Sequence, residues 1–332
     1  MKPRLILHAG LHKTGTTAIQ SFCAGNRDGL YQKGIWYPDY QPIRQSRPRT
    51  HHDIASAVAE DTTWENFTYQ EVKQLISFWK EHAGDTVIFL SSEKICRYLS
   101  PDTSRDWKLR RLTYLQNFAD LFQDFEVEPV LILRRQDDFI HSAYLENLHK
   151  GTREGTLTFP EFRELSLKTR LRYADNLDAF KQAFGHVKVF WYEDLKEGNK
   201  LHLNLFKELE FNVDEFDPPG TVRKSINYEH GVVKRKLNKL IFRLQPNLFR
   251  RAVNKVTNSI LSSSFIRAVL SKLTSSDSKS FWQSEEEKKE FLALFDEENK
   301  KIRENYLAEN ANLFTESRHK STNSSENEEI NQ

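Results

Sequence analysis

The chain has 332 residues and a formal net charge of +2, with 12% aromatic residues, 12 glycines and two cysteines. That length suits one large α/β domain with a full core, and the aromatic content excludes a low-complexity chain. The near-balanced charge gives no whole-molecule case for nucleic-acid binding, and Cys23 and Cys96 are too few for a disulfide framework or a metal cluster.

Taken in chain order, the apolar run near 4–8 predicts a buried strand, and its length is too short for a signal h-region or a membrane span. Residues 8–17, HAGLHKTGTT, then form a glycine-framed loop leading into a helix that opens at Thr16-Thr17. Strand, tight loop and helix N-terminus together make an anion site, because backbone N–H groups and the helix dipole aim at one point. Gly10 and Gly15 have the spacing of a Walker A loop, G-x-x-x-x-G-K-[ST]. Thr16, however, stands where that loop has lysine, and the lysine is Lys13, two residues before Gly15. The phosphate cradle is retained and its cation displaced, which argues against ordinary ATP or GTP hydrolysis.

A short extended segment follows at 34–38, then a loop at 39–50 near the active face. Amphipathic helices are predicted at Tyr69–Ala83 and Trp107–Phe122, with strands near 86–90, 126–133 and 186–191. The alternation predicts a central parallel sheet flanked by helices. After the strand at 126–133, Arg134 closes a strand end, and Asp138 and Ser142 lie one helical turn apart on one face. Ligands of open α/β sheets bind outside such strand ends, and a guanidinium with a hydroxyl suits a phosphate. Residues 151–158 read as a Gly- and Thr-rich loop on the acceptor side, and 187–195 as a strand running into Tyr192-Glu193-Asp194-Leu195. Between 231 and 276 there are ten Lys or Arg and no Asp or Glu. Such a stretch lies along an anionic membrane or glycan, or packs as helices with solvated basic faces. A charged helix at 285–307 offers Phe291, Leu292, Leu294, Phe295 and Ile302 for packing, and 316–332 reads as a disordered tail.

Three of these elements resemble, in order, those of the sulfotransferases that use 3′-phosphoadenosine 5′-phosphosulfate (PAPS): Lys13-Thr14-Gly15-Thr16-Thr17, Arg134 with Ser142, and Tyr192 before Glu193-Asp194-Leu195. The likeness is greatest to bacterial glycan-type enzymes with KTGTT and RRQDD elements. It implies a P-loop-like fold with a C-terminal helical extension: a sulfotransferase domain over 1–315, then the tail. It implies that Lys13, Thr14, Gly15, Thr16 and Thr17 bind the 5′-phosphosulfate, that Arg134 and Ser142 hold the 3′-phosphate, and that Tyr192 lies near the adenine. Arg223 and Lys224 take the place of a basic 3′-phosphate segment, without the glycine and tryptophan motifs that accompany it in the cytosolic branch. That branch's catalytic histidine is also missing. At the comparable position, after strand 86–90, stands Glu93, which the resemblance makes the candidate general base.

Sulfuryl transfer is an in-line displacement close in physics to phosphoryl transfer. Lys13 suits the leaving oxygen, where negative charge grows. Glu93, in a partly dry cleft, is expected to have a raised pKa matched to proton abstraction, against the competing reading of a helix cap. His12, His51 and His52 are held in reserve. The expected reaction moves a sulfuryl group from PAPS to a hydroxyl of a glycan or glycolipid acceptor, with no metal and no nucleic-acid partner. The expected location is cytoplasmic, with 231–276 available to touch the inner membrane. A P-loop small-molecule kinase and a non-catalytic nucleotide-binding scaffold are the rival readings.

Overall fold

In the computed structural model of the protein, the described residues are 2–59, 67–98, 106–216, 228–244 and 280–306, with the isolated positions 253, 256 and 257. Arg223, Lys224, most of the basic stretch beyond 244, and the tail at 316–332 lie outside them.

Five strands form one parallel sheet: β1 (Arg4–Gly10), β2 (Ile35–Trp36), β3 (Val87–Ser91), β4 (Glu126–Leu133) and β5 (Lys188–Trp191), in the spatial order β2-β3-β1-β4-β5. The expected α/β architecture is therefore present. Parallel neighbours need crossovers, and the crossing helices cover both faces, which is why these strands read as continuous apolar runs.

Alternation along β1 sorts its side chains between two cores. Leu5, Leu7 and Ala9 face one, with Trp79 of α4 (Tyr69–His82), Phe118 of α6 (Trp107–Leu121) and Phe180 of α9 (Tyr173–Phe184). Ile6 faces the other, with Ile19 and Phe22 of α1 (Thr16–Gly25) and Leu30 of α2 (Arg27–Gln32). Helix α4 begins where the sequence predicts, because Thr68 and Glu71 form a reciprocal capping box.

Chain order makes β1 the pivot. Its crossover leads toward β2 on one side, whereas the chain leaving β4 goes to β5 on the other. Such a switch point opens a crevice beyond the strand ends, and the loop after β1 sits there. A bulge between His8 and Gly10 adds one residue to β1 relative to β4 and turns the chain into that loop.

One expectation is corrected in the C-terminal part. The charged segment at 285–307 is two helices, α13 (Glu285–Ala293) and α14 (Asp296–Tyr306), broken by a turn at Leu294–Phe295. Phe291, Phe295 and Ile302 are buried, but the turn leaves Leu294 64% exposed. The basic stretch starts as α12 (Tyr228–Leu244) and docks through Gly231, Lys234 and Asn238, one helical face. Lys236 and Lys239 are exposed, as a packed helix with a solvated basic face requires, whereas Lys234 lies on the docking face, where burial lowers its pKa to about 8. No helix among the described residues is long and apolar enough to cross a membrane.

Candidate functional site

The loop between β1 and α1 is built from left-handed backbone. Gly10, Lys13 and Gly15 have φ of 122°, 67° and 78°. For lysine this conformation is uncommon, and such strain persists only where the surroundings impose it. Here Arg134 Nη1 donates to the Lys13 carbonyl at 2.9 Å, tying the loop to the end of β4. Gly10 is also needed sterically: a Cβ there would lie 3.3 Å from the Cα and Cβ of Glu93. At Gly15 a Cβ would lie 2.0 Å from Leu201 Cδ2 and 3.4 Å from the Tyr192 ring.

The structure thereby brings most of the sequence-predicted residues together. Arg134 stands over the Tyr192 ring, 4.8 Å from its centroid, and Tyr173 Oη donates to the Arg134 carbonyl at 2.9 Å. Tyr192 is half-buried, the first residue of the short helix α10 (Tyr192–Leu195). Arg134 makes no ion pair with Asp138; Arg135 takes that carboxylate at 3.7 Å and Asp137 at 2.6 Å. Buried Asp137 occupies the first turn of α7 (Gln136–Lys150), so this helix N-terminus already has its negative charge. Ser142 is half-buried further along α7.

The threonines divide. Thr14 is fully buried and its hydroxyl donates to the Leu11 carbonyl at 2.6 Å, closing the loop. Thr16 is buried at the start of α1 and Thr17 is exposed. None of them caps the helix: the cap position is Gly15, with no side-chain bond, so the first N–H groups of α1 remain available to an anion. Arg134 Nε and Glu193 Oε2 are buried and lack a hydrogen-bond partner among the described residues. Buried polar atoms are seldom left unpaired, so these two, beside Tyr192, suit a ligand offering an acceptor and a donor.

Glu93 follows β3 and occupies the N-cap position of α5 (Lys94–Arg97), but its side chain makes no capping hydrogen bond there. Instead Gln20 Nε2 donates to Glu93 Oε2 at 2.8 Å, and His52 Nε2 lies 3.4 Å from Oε1. Burial pushes the carboxyl up, but the hydrogen bond and charge of His52, with Gln20 and the Glu93 backbone N–H, outweigh it and hold the pKa at about 2. The expected upward shift is therefore reversed, for a physical reason: the partly dry carboxylate is surrounded by donors. His52 Nδ1 in turn lies 2.9 Å from Ser92 Oγ.

Adjacent His51 has a different role. The Ser91 N–H donates to His51 Nδ1 at 3.1 Å, so Nε2 carries the proton and donates to the Pro38 carbonyl at 3.1 Å. Burial lowers its pKa to about 3, and it pins the 39–50 loop to the sheet. His12 is likewise held neutral, at about 3, by burial and then by the charges of Arg97 and Arg170.

Gln20, Ser91 and His8 are members of this network that sequence reasoning missed. Gln20 also donates to Ser91 Oγ at 3.2 Å, and His8 Nδ1 lies 2.8 Å from the same oxygen. One local signal existed: Thr16, Ile19, Gln20 and Cys23 share the buried stripe of α1, where a glutamine needs a polar partner.

Beside the loop opens a cleft of about 410 Å³ whose lining includes Leu11, His12, Cys96, Arg97, Glu146 and Thr152. The 151–158 segment, expected on the acceptor side, supplies part of that wall. Lys13 Nζ lies 3.9 Å from Glu146 of that lining, which also accepts from Lys150 at 2.6 Å. Among the described residues no group of three or more His, Cys, Asp or Glu is placed to hold a metal ion. No model of a known protein family matches the chain, and no curated protein matches it in sequence.

Proposed function

We propose that the protein is a PAPS-dependent sulfotransferase acting on a carbohydrate hydroxyl. The observation that carries this reading is the linkage of the displaced lysine to the other two motif elements. Arg134 bonds to the Lys13 backbone and lies over Tyr192, while Gly15 abuts the same ring.

The donor supplies an activated sulfuryl group attached to a phosphate leaving group. On this reading the α1 N-terminus and the N–H groups of the Lys13–Thr17 loop hold the 5′-end, and Arg134 with Ser142 receives the 3′-phosphate. Lys13 turns from Glu146 toward the leaving oxygen and neutralises the charge that develops there. Glu93, ionised across the physiological range, accepts the proton of the acceptor hydroxyl, with His52 as the adjacent station for that proton. The hydroxyl enters from the cleft beside Lys13, which keeps the two substrates on opposite sides of the sulfur, as in-line displacement requires.

Calorimetry with adenosine 3′,5′-bisphosphate tests the reading. Micromolar or tighter binding without Mg²⁺, and no comparable binding of ATP, is the expected result. Tight, Mg²⁺-dependent ATP binding would overturn it in favour of a kinase.

A further inference from the structure

The cleft beside Lys13 has an excess of positive charge that its own contacts do not neutralise. Four cationic side chains line it, Arg97, Lys150, Arg153 and Arg170, against two carboxylates, Glu146 and Glu154. Two of the cations are matched internally. Arg170 binds Glu154 through two parallel bonds of 2.9 Å, and Lys150 binds Glu146. Arg97, at the end of α5, and Arg153, in the turn after α7, form no ion pair among the described residues, and both are exposed. Lys13 adds its charge by sharing Glu146.

The field of these groups reaches the interior of the cleft. Behind burial, the charges of Arg97 and Arg170 are the next causes that keep the His12 ring neutral. The remaining lining is suited to hydroxyl-rich ligands: Asn176 Oδ1 is buried with no partner among the described residues, Asn147 and Thr152, bonded to each other at 2.6 Å, keep spare lone pairs, and Phe139 and Leu11 offer apolar contact. The volume lies within the range of small-ligand sites. Guanidinium groups on separate elements, beside neutral hydrogen-bonding groups, are the chemistry that recognises a carboxylate or sulfate on a sugar.

We infer that the acceptor is an anionic glycan, whose carboxylate or sulfate substituent is held by Arg97 and Arg153 while a neighbouring hydroxyl is presented to Lys13. The inference rests on the sulfotransferase reading for the fate of that hydroxyl, though not for the binding itself. The whole chain carries only +2, so this selectivity comes from placement and not from net charge.

The test uses the full chain saturated with adenosine 3′,5′-bisphosphate and two matched pairs of oligosaccharides. One pair is a uronate-bearing tetrasaccharide and its carboxyl-reduced form; the other is a sulfated tetrasaccharide and its desulfated form. The expected result is that the charged member of one pair binds at least roughly tenfold more tightly than its neutral partner. Which pair shows the difference identifies carboxylate or sulfate as the recognised group. Arg97→Ala and Arg153→Ala should each remove most of that advantage while leaving bisphosphate affinity unchanged. Equal binding of charged and neutral members in both pairs overturns the inference, as does an unchanged preference in the double variant. Failure of bisphosphate binding, with the arginine-dependent preference intact in the nucleotide-free protein, would overturn the sulfotransferase reading and leave the anionic cleft standing.

Discussion

Glu93 receives a hydrogen bond from Gln20 and lies 3.4 Å from His52, and both contacts favour the charged carboxylate over the neutral acid. Its pKa of about 2 lies below the unfolded value of about 4.3. A depressed carboxylate pKa stabilises the fold above the unfolded value, and that contribution is lost as pH falls from about 4.3 through about 2. Its full size is about 3 kcal/mol. Glu93→Gln should therefore flatten the acid limb of stability: urea unfolding of the two proteins should converge between pH 4.5 and pH 2.5. Parallel curves would show that the carboxylate is not held by these neighbours. If Glu93 also takes the acceptor proton, the same substitution should lower turnover by about 10² or more while bisphosphate affinity stays constant. The direction of this shift was not legible in the sequence. Gln20 is 73 residues from Glu93 and His52 is about forty, so the donors arrive only through the fold.

The loop after β1 and the helix α11 (Leu201–Glu208) are coupled through one position. Gly15 has φ 78°, and a Cβ there would fall 2.0 Å from Leu201 Cδ2, a side chain buried in the second core. Gly15→Ala should cost about 1–2 kcal/mol from the left-handed backbone and a further 1–3 kcal/mol, roughly, from overpacking. Only the second part is relieved by Leu201→Ala. The double variant should therefore be less destabilised than the sum of the single ones, by about 1 kcal/mol or more, in thermal or chemical unfolding. Strict additivity would mean that the loop moves away and does not need its contact with α11. The loop itself was readable because its glycines, lysine and threonines are local in sequence. The strands were readable for the same reason, as short apolar runs between helical stretches. The break at Leu294–Phe295 was not, because Phe291, Phe295 and Ile302 keep helical spacing across it and pattern alone carries the helix through. Arg134 was found by its place at a strand end, but its bond to the Lys13 carbonyl spans 121 residues and needed the sheet order.

At the scale of the whole molecule, helix α12 is tied to the wall of the cleft. Asn238, 1% exposed, donates from Nδ2 to the carbonyls of Leu148 at 2.9 Å and Gly155 at 3.2 Å. The first belongs to the last turn of α7, the second to the 3₁₀ turn Glu154–Thr156, and between them run Lys150, Thr152 and Arg153 of the cleft lining. One amide thus fixes both ends of the segment that presents Arg153. Gly155 packs closely on the end of α7, since a Cβ added there would lie 2.3 Å from the Asn147 carbonyl oxygen. The sequence shows a basic amphipathic stretch here, and its composition draws attention to charge, yet the hydrogen bonds to the cleft wall come from its asparagine. Asn238→Leu keeps the volume and removes the donor, leaving carbonyls that were paired with it, at a cost of about 1–3 kcal/mol confined to this region. Hydrogen exchange should quicken at residues 148–157 while the amides of β1, β3 and β4 keep their protection. With an acceptor in hand, its KM should rise several-fold as bisphosphate affinity holds, because Arg153 loses its fixed position and the Lys13–Thr17 loop does not. Exchange that quickens uniformly across the sheet would make Asn238 a general stability residue, and exchange unchanged at 148–157 would show that α12 does not restrain the cleft.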